Sequence, residues 1–154
     1  MQAHSDFIKR DFIKQQLEVI CFSYQYFAGE ILTPNEIQNA VFALVSHGTE
    51  QDPIFNYGNK TALGLFEMSW EEFTKLPSRL SAREQQQSER ARLLSEVTEQ
   101  GYSKNYRGIR VSKTGRLFQI EDTIVCNLLD PRNMHHGNMQ RVGQSALIRK
   151  WRYL

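Results

Sequence analysis

Apolar residues near the start of the chain return every three or four positions, with Phe12, Leu17, Ile20 and Tyr24 on one line. Ile13, Val19, Phe22, Tyr26 and Phe27 widen it. That spacing predicts a helix over 6–27, capped by Ser5 or Asp6 and ended by Gly29. So much apolar surface has to be covered, either by the rest of the chain or by a second copy of it. Thr33-Pro34-Asn35-Glu36 combines a capping threonine, a proline at the first helical position and a returning glutamate. With Leu32 and Ile37 as a hydrophobic staple, it predicts a short helix. Residues 40–45 are apolar and β-prone, a turn follows over 48–53, and 54–57 make a second short strand.

Helical signals then return. Asn59 caps a segment with Ala62, Leu63 and Phe66 on one side. Ser69-Trp70-Glu71-Glu72 is a second capping box, stapled by Met68 and Phe73 and stopped by Pro77. Ser81-Ala82-Arg83-Glu84 opens a third helix that runs to Gly101. Its residues 85–90 are polar all round and predict a solvated face. From Tyr102 the period drops to two. Residues 102–112 and 116–129 read as strands joined by a Lys113-Thr114-Gly115 turn. In the second strand Phe118, Ile120, Ile124, Cys126 and Leu128 share one face; Gln119, Glu121, Thr123 and Asn127 share the other. Asp122 falls in the apolar register, so it either escapes at a bulge or pairs inside a pocket. A polar loop over 130–137 and a strand over 139–151 complete an α+β chain. The predicted architecture is an antiparallel sheet of about five strands with helices over one face and an N-terminal flanking helix.

Composition adds bounds. At 154 residues the chain has the size of one domain with its own core. Its 40% hydrophobic and 23% charged content excludes disorder, and a net charge of +2 demands neither nucleic acid nor membrane. No apolar run approaches the ~20 residues of a membrane-spanning helix. Asp6, Lys9, Arg10 and Asp11 interrupt any N-terminal leader. Cys21 and Cys126 read as free thiols of a reducing compartment, so the expected location is cytoplasmic.

Several stretches carry a family likeness. Ser46-His47-Gly48-Thr49 and Asp52-Pro53-Ile54-Phe55-Asn56-Tyr57-Gly58-Asn59 resemble the opening hairpin of the MEKHLA domain family. Residues 62–72, Leu76-Pro77-Ser78-Arg79-Leu80-Ser81, Gly101-Tyr102, Tyr106-Arg107-Gly108-Ile109-Arg110-Val111-Ser112 and Val125-Cys126-Asn127-Leu128-Leu129-Asp130 extend the likeness from about residue 20 to about 148. The resemblance implies a fold related to PAS domains, with 1–32 as flanking helix and 33–154 as the PAS-like module. The plant form is similar to the C-terminal segment of class III homeodomain–leucine-zipper transcription factors, a regulatory and steric-control region. In bacteria the module commonly stands alone. The basic C-terminus, with Arg149, Lys150 and Arg152, departs from the family pattern.

No set of reactive residues converges, so no catalytic residue is assigned and the expected protein is not an enzyme. Ser46 and His47 are adjacent on a strand, which sends their side chains to opposite faces, and no serine sits in a nucleophile elbow. His135 and His136 lack a third ligand, so no metal is expected. The Gly-x-Asn-Cys-Arg-Phe-Leu-Gln motif of flavin-binding light sensors is missing and residues 59–100 hold no histidine, which argues against flavin and haem. An unidentified small apolar or aromatic ligand stays open, in a pocket lined by Phe55, Tyr57, Leu63, Phe66, Phe118, Ile120, Asp122 and Cys126. Alternatively those side chains fill the space completely. Phe12, Leu17, Ile20, Tyr24 and Trp151 are the candidate contacts for a protein partner or a homodimer. Arg149 to Tyr153 is too short a basic-aromatic run to predict nucleic-acid binding. The expected function is a ligand- or partner-binding regulatory module, with a purely structural dimerisation domain as the alternative.

Overall fold

The computed structural model describes residues 2–154, so Met1, where the predicted flanking segment begins, lies outside the described residues. The first helix, α1, spans Gln2–Ala28 and ends at Gly29, whose φ of +69° only glycine adopts freely. It starts before the predicted residue 6, with Ser5 and Asp6 inside it. Nothing in residues 2–5 breaks a helix once it has nucleated. The second helix, α2 (Pro34–Gln38), carries the predicted capping box: the Thr33 hydroxyl accepts from the Glu36 N–H and Glu36 returns to the Thr33 N–H.

Strand β1 is Ala43–His47, later than the predicted 40–45. Asn59 explains the shift. Buried behind β1, its Nδ2 donates to the carbonyls of Ile37 and Phe42 while its Oδ1 accepts from the N–H groups of Leu44 and Ala62. Those bonds hold 37–42 as an irregular connection and cap α3 (Lys60–Phe66) with the same side chain. Strand β2 is Phe55–Gly58, and α4 (Trp70–Phe73) carries the second predicted capping box. The predicted start of the third helix at Ser81 is corrected. Ser81 belongs to a 3-10 turn (Ser78–Ser81) and its hydroxyl donates back to the Ser78 carbonyl, so α5 (Glu84–Gln100) begins after Arg83 without a side-chain cap.

Strands β3 (Tyr102–Val111), β4 (Leu117–His135) and β5 (Asn138–Tyr153) complete an antiparallel sheet in the order β2-β1-β5-β4-β3. The predicted polar loop over 130–137 is instead the far end of a long ribbon. Its two-residue turn, His136-Gly137, has positive φ at both positions, as a tight hairpin requires. The ribbon is mostly polar, with Pro131 and the Met134–Met139 pair breaking any regular alternation that would have marked it as strand.

Two cores flank the sheet. One, against α3–α5, contains Val45, Phe55, Phe66, Phe73, Leu93, Val97, Phe118, Ile120 and Val125. The other, against α1 and α2, contains Leu17, Ile20, Tyr24, Leu44, Tyr57, Ile124, Cys126 and Leu128. Helices therefore cover both faces, the flanking helix taking the one opposite α3–α5. The predicted single apolar face of β4 is corrected at Asp122. That residue adopts φ +46°, drops out of the ladder between the Glu121–Lys150 and Thr123–Ile148 pairs, and is exposed. Side-chain alternation reverses there. Phe118 and Ile120 face α5, Ile124 and Cys126 face α1, and Thr123 is buried rather than solvated.

Candidate functional site

The core under α5 is not filled. Between α5 and strands β1, β3, β4 and β5 lies a cavity of about 50 Å3, walled mostly by apolar side chains that include Val45, Phe55, Phe66, Leu93, Ile120 and Val125. Three basic side chains line it as well: His47 from β1, Arg90 from α5 and Arg110 from β3. The Phe55, Phe66 and Phe73 rings pack together beside it, Phe55 stacked on Phe73 at 4.2 Å, and Phe66 meets Phe118 edge-on at 5.3 Å. Rings locked in this way leave a void that the neighbouring side chains do not relax into.

The polar groups around the cavity are unequally satisfied. Arg110 donates through Nη1 to the Ile109 carbonyl and through Nη2 to the Tyr106 hydroxyl, which in turn donates to Glu89 Oε2 at 2.9 Å. Gly108 makes room for this chain, because a Cβ there would lie 2.4 Å from the Tyr106 oxygen. Gln144 donates to Leu94, Thr98 and Asn127. His47 is different. Its Nδ1 lies 2.9 Å from the Gly48 carbonyl, which can only accept, so Nδ1 carries the proton and donates. Its Nε2 is buried without any partner. Burial lowers the His47 pKa to about 4, against the weaker upward pull of the Gly48 bond. The ring is therefore neutral at pH 7, and Nε2 presents a lone pair. Gly143 fixes β1 closely here, since a Cβ would sit 2.2 Å from the His47 carbonyl oxygen.

Arg90 completes the set. It is 9% exposed and, among the described residues, makes no hydrogen bond and meets no carboxylate. Burial, then the like charge of Arg110, lower its pKa to about 10, with Tyr106 acting in the other direction. It still carries its charge at neutral pH. A mostly buried cation without a counter-charge is costly to the extent that it is desolvated.

Residues 14–153 match the MEKHLA domain. The chain belongs to that family. No curated protein matches it. Among solved structures it is similar to a PAS domain from a two-component sensor histidine kinase, at 18% identity and TM-score 0.56 over 78% of this chain and 91% of that one. It is also similar to the PAS domain of a Colwellia psychrerythraea protein, at 16% identity and TM-score 0.57 over 73% and 89%. A light-oxygen-voltage domain described with a flavin analogue aligns at 14% identity and TM-score 0.60 over 79% and 83%. At these identities the likeness shows a PAS-type fold.

The MEKHLA chain distributes its sequence-predicted site residues over both faces. Phe55, Phe66 and Ile120 line the cavity; Phe118 stands behind Phe66; Leu63 packs at the margin of the same core. Tyr57 and Cys126 are corrected to the opposite core, and Asp122 to the surface. Of the candidate partner contacts, Leu17, Ile20 and Tyr24 are buried against the chain's own sheet, and Trp151 is half-buried beside Ile120. Phe12 remains 42% exposed. Cys21 and Cys126 are free thiols, pushed by burial up to about 11 and about 12, which holds them protonated. Among the described residues no group of acidic, histidine and cysteine side chains is placed to hold a metal, and no helix is long and apolar enough to cross a membrane. In the C-terminal run, Arg149 pairs with Glu30 at 2.6 Å and Arg152 with Glu121 at 3.2 Å.

Sequence reasoning missed Arg90 and Arg110. Arg90 ends the polar run 85–90 that predicts a solvated face, yet it lies three and seven residues before Leu93 and Val97, on the stripe those residues bury. Arg110 shares strand parity with Tyr106 and Ser112, all three buried. Both signals were present, masked by the rule that charged side chains face water.

Proposed function

We propose that this MEKHLA domain is a non-catalytic, cytoplasmic regulatory module that senses a compact small molecule held between α5 and the sheet. One observation carries the reading: a cavity persists in an otherwise close-packed core, and the buried His47 Nε2 lacks a partner beside it, while Arg90, which also lines it, makes no hydrogen bond among the described residues. Natural cores rarely leave such groups unpaired without a use for them. A space of about 50 Å3 takes about three to five water-sized groups. That is far below the ~300–1,000 Å3 of larger ligand sites. The size supports a compact ligand and argues against haem or flavin, and the cysteine nearest in sequence, Cys126, faces away.

Sensing in this reading is a population shift. A ligand that bridges Arg90 on α5 to His47 on β1 ties the helix to the sheet, favouring the state in which α5 is docked. The readout surface is the outer side of α5, exposed at Ser88, Arg92, Ser95 and Glu99. A homodimer through α1 would use Phe7, Ile8 and Phe12, exposed apolar side chains near the start of that helix.

The test is an amide NMR titration of the whole chain with a small-molecule extract of the source cells. Shifts centred on Val45, Ile120 and Leu93, lost in a cavity-filling Val125→Phe variant, are expected. Identical spectra for the two proteins with and without extract would leave the purely structural reading standing in its place.

A further inference from the structure

The walls of the cavity also specify what chemistry an occupant must bring. Three donors and acceptors are in play, and they are not equivalent. Arg110 is already engaged by the Ile109 carbonyl and by the Tyr106–Glu89 pair, so it adds field but offers little further bonding. Arg90 is fully free to donate, its guanidinium having no oxygen partner among the described residues, and it lies close enough to Arg110 for the two charges to repel. Nearly buried, that pair of guanidiniums makes the interior strongly cationic. A planar fork of N–H donors with no acceptor matches a carboxylate in two-point geometry. His47 imposes the opposite demand. With Nδ1–H committed to the Gly48 carbonyl, Nε2 can only accept, so the occupant must carry a donor.

We propose that the cavity binds a short 2-hydroxycarboxylate, its carboxylate held by Arg90 and its hydroxyl donating to His47 Nε2. The inference rests on the sensing reading above and names its ligand class. An amino acid of the same size would also supply a donor, but its ammonium would enter beside Arg90 and Arg110 and be repelled. A dicarboxylate would set its second charge against the apolar wall of Val45, Phe55 and Ile120. The volume, about three to five water-sized groups, limits the carbon chain to two or three atoms. The remaining apolar wall suits the C–H face of such a chain.

The experiment is calorimetric titration of the whole protein with sodium glycolate, compared with acetate, glycine and neutral glycolamide, and run in parallel on R90M and R90K. Glycolate is expected to bind; acetate, which leaves Nε2 without its donor, is expected to bind about tenfold more weakly, the factor that about 1.4 kcal/mol corresponds to. Glycolamide and glycine are expected to give no heat. R90M should fold, by circular dichroism, and lose glycolate binding. R90K, which keeps the charge and loses the fork, should fold and bind more weakly than wild type. Glycolate binding unchanged in R90M, or acetate binding as tightly as glycolate, overturns the assignment. If glycolamide binds in place of glycolate, the ligand class is wrong while the cavity remains a binding site. If none of the four probes binds and the extract also leaves the amide spectrum unmoved, the sensing reading fails together with this one.

Discussion

The two faces of the sheet are built from the same kinds of apolar residue and differ in how their buried polar groups end. On the α1 face Tyr24, Ser23 and Gln16 are all bonded. The Tyr24 hydroxyl lies 3.2 Å from the Ile124 carbonyl and 3.1 Å from the Ser145 hydroxyl, and Ser145 donates onward to the Val45 carbonyl. Ser23 accepts from the Leu129 N–H, and Gln16 donates to Ser46 and Asn56. On the α5 face a cavity remains; the buried His47 Nε2 has no partner, and Arg90, which also lines the cavity, makes no hydrogen bond among the described residues. A satisfied network rigidifies a core, whereas an unsatisfied one lowers stability unless something enters. The α1 face is the foundation, and the α5 face holds stability in reserve for a ligand.

The hardest way to break that contrast is to remove the foundation. Deleting residues 2–28 strips the cover from Leu44, Ile124, Leu128 and Leu147, and the chain is expected to lose its cooperative unfolding transition. Ile20→Ala, at a fully buried position, should cost about 2–5 kcal/mol in urea denaturation followed by circular dichroism. A truncated chain that keeps its denaturation midpoint and changes only its mass by light scattering would make α1 a dimerisation device instead.

The next test uses pH. His47 has a folded pKa of about 4 against an ordinary 6.5, so the unfolded chain binds the proton first as pH falls. The neutral ring's contribution is present above pH 6.5 and is lost progressively down to about pH 4, a change on the order of 3 kcal/mol. Acidic groups elsewhere titrate too, so the difference between wild type and His47→Leu isolates this term. The two denaturation curves should diverge in slope between pH 6.5 and 4 and run parallel above it.

These opposite behaviours were legible in the sequence to different depths. The boxes at Thr33–Glu36 and Ser69–Glu72 were readable because capping is local: the bonding partners lie three residues apart. Ser81, three residues before Glu84, opens no helix, because its hydroxyl donates to the Ser78 carbonyl in a turn that follows the Ile54–Pro77 bridge. The β4 alternation was read correctly on each side of Asp122 and wrongly across it. A left-handed residue in mid-strand is imposed by the surrounding sheet, and nothing in its neighbours announces it. That single reversal moved Cys126 out of the predicted pocket and brought Val125 into it. Of the site, the aromatic wall was visible as apolar positions. The cationic part was not, since burying an arginine contradicts the ordinary pattern and happens where function asks for it.

Arg90 itself gives a prediction of opposite sign to a core truncation. Arg90→Met replaces an uncompensated buried charge by a flexible apolar chain that fills part of the void, so the unliganded protein should gain about 1–3 kcal/mol in denaturant. Loss of stability in R90M would mean that the guanidinium is compensated after all, and the two faces would then be alike.

The smallest expected effect sharpens the same contrast from the sealed side. Tyr24→Phe keeps the ring in place and removes one oxygen, which leaves the Ile124 carbonyl without its side-chain donor. Ser145 still donates to Val45 at 2.8 Å, so the network loses one link and not its anchor. The expected cost is about 1 kcal/mol. Burial pushes the Tyr24 pKa far above its usual value, so the hydroxyl stays protonated and the loss should not vary between pH 5 and 8. Combined with Arg90→Met, the two changes should add, because they act through separate cores on opposite faces of one sheet. A coupling well above ~0.5 kcal/mol between them would show that α1 senses the cavity through the sheet, and that the foundation is part of the switch.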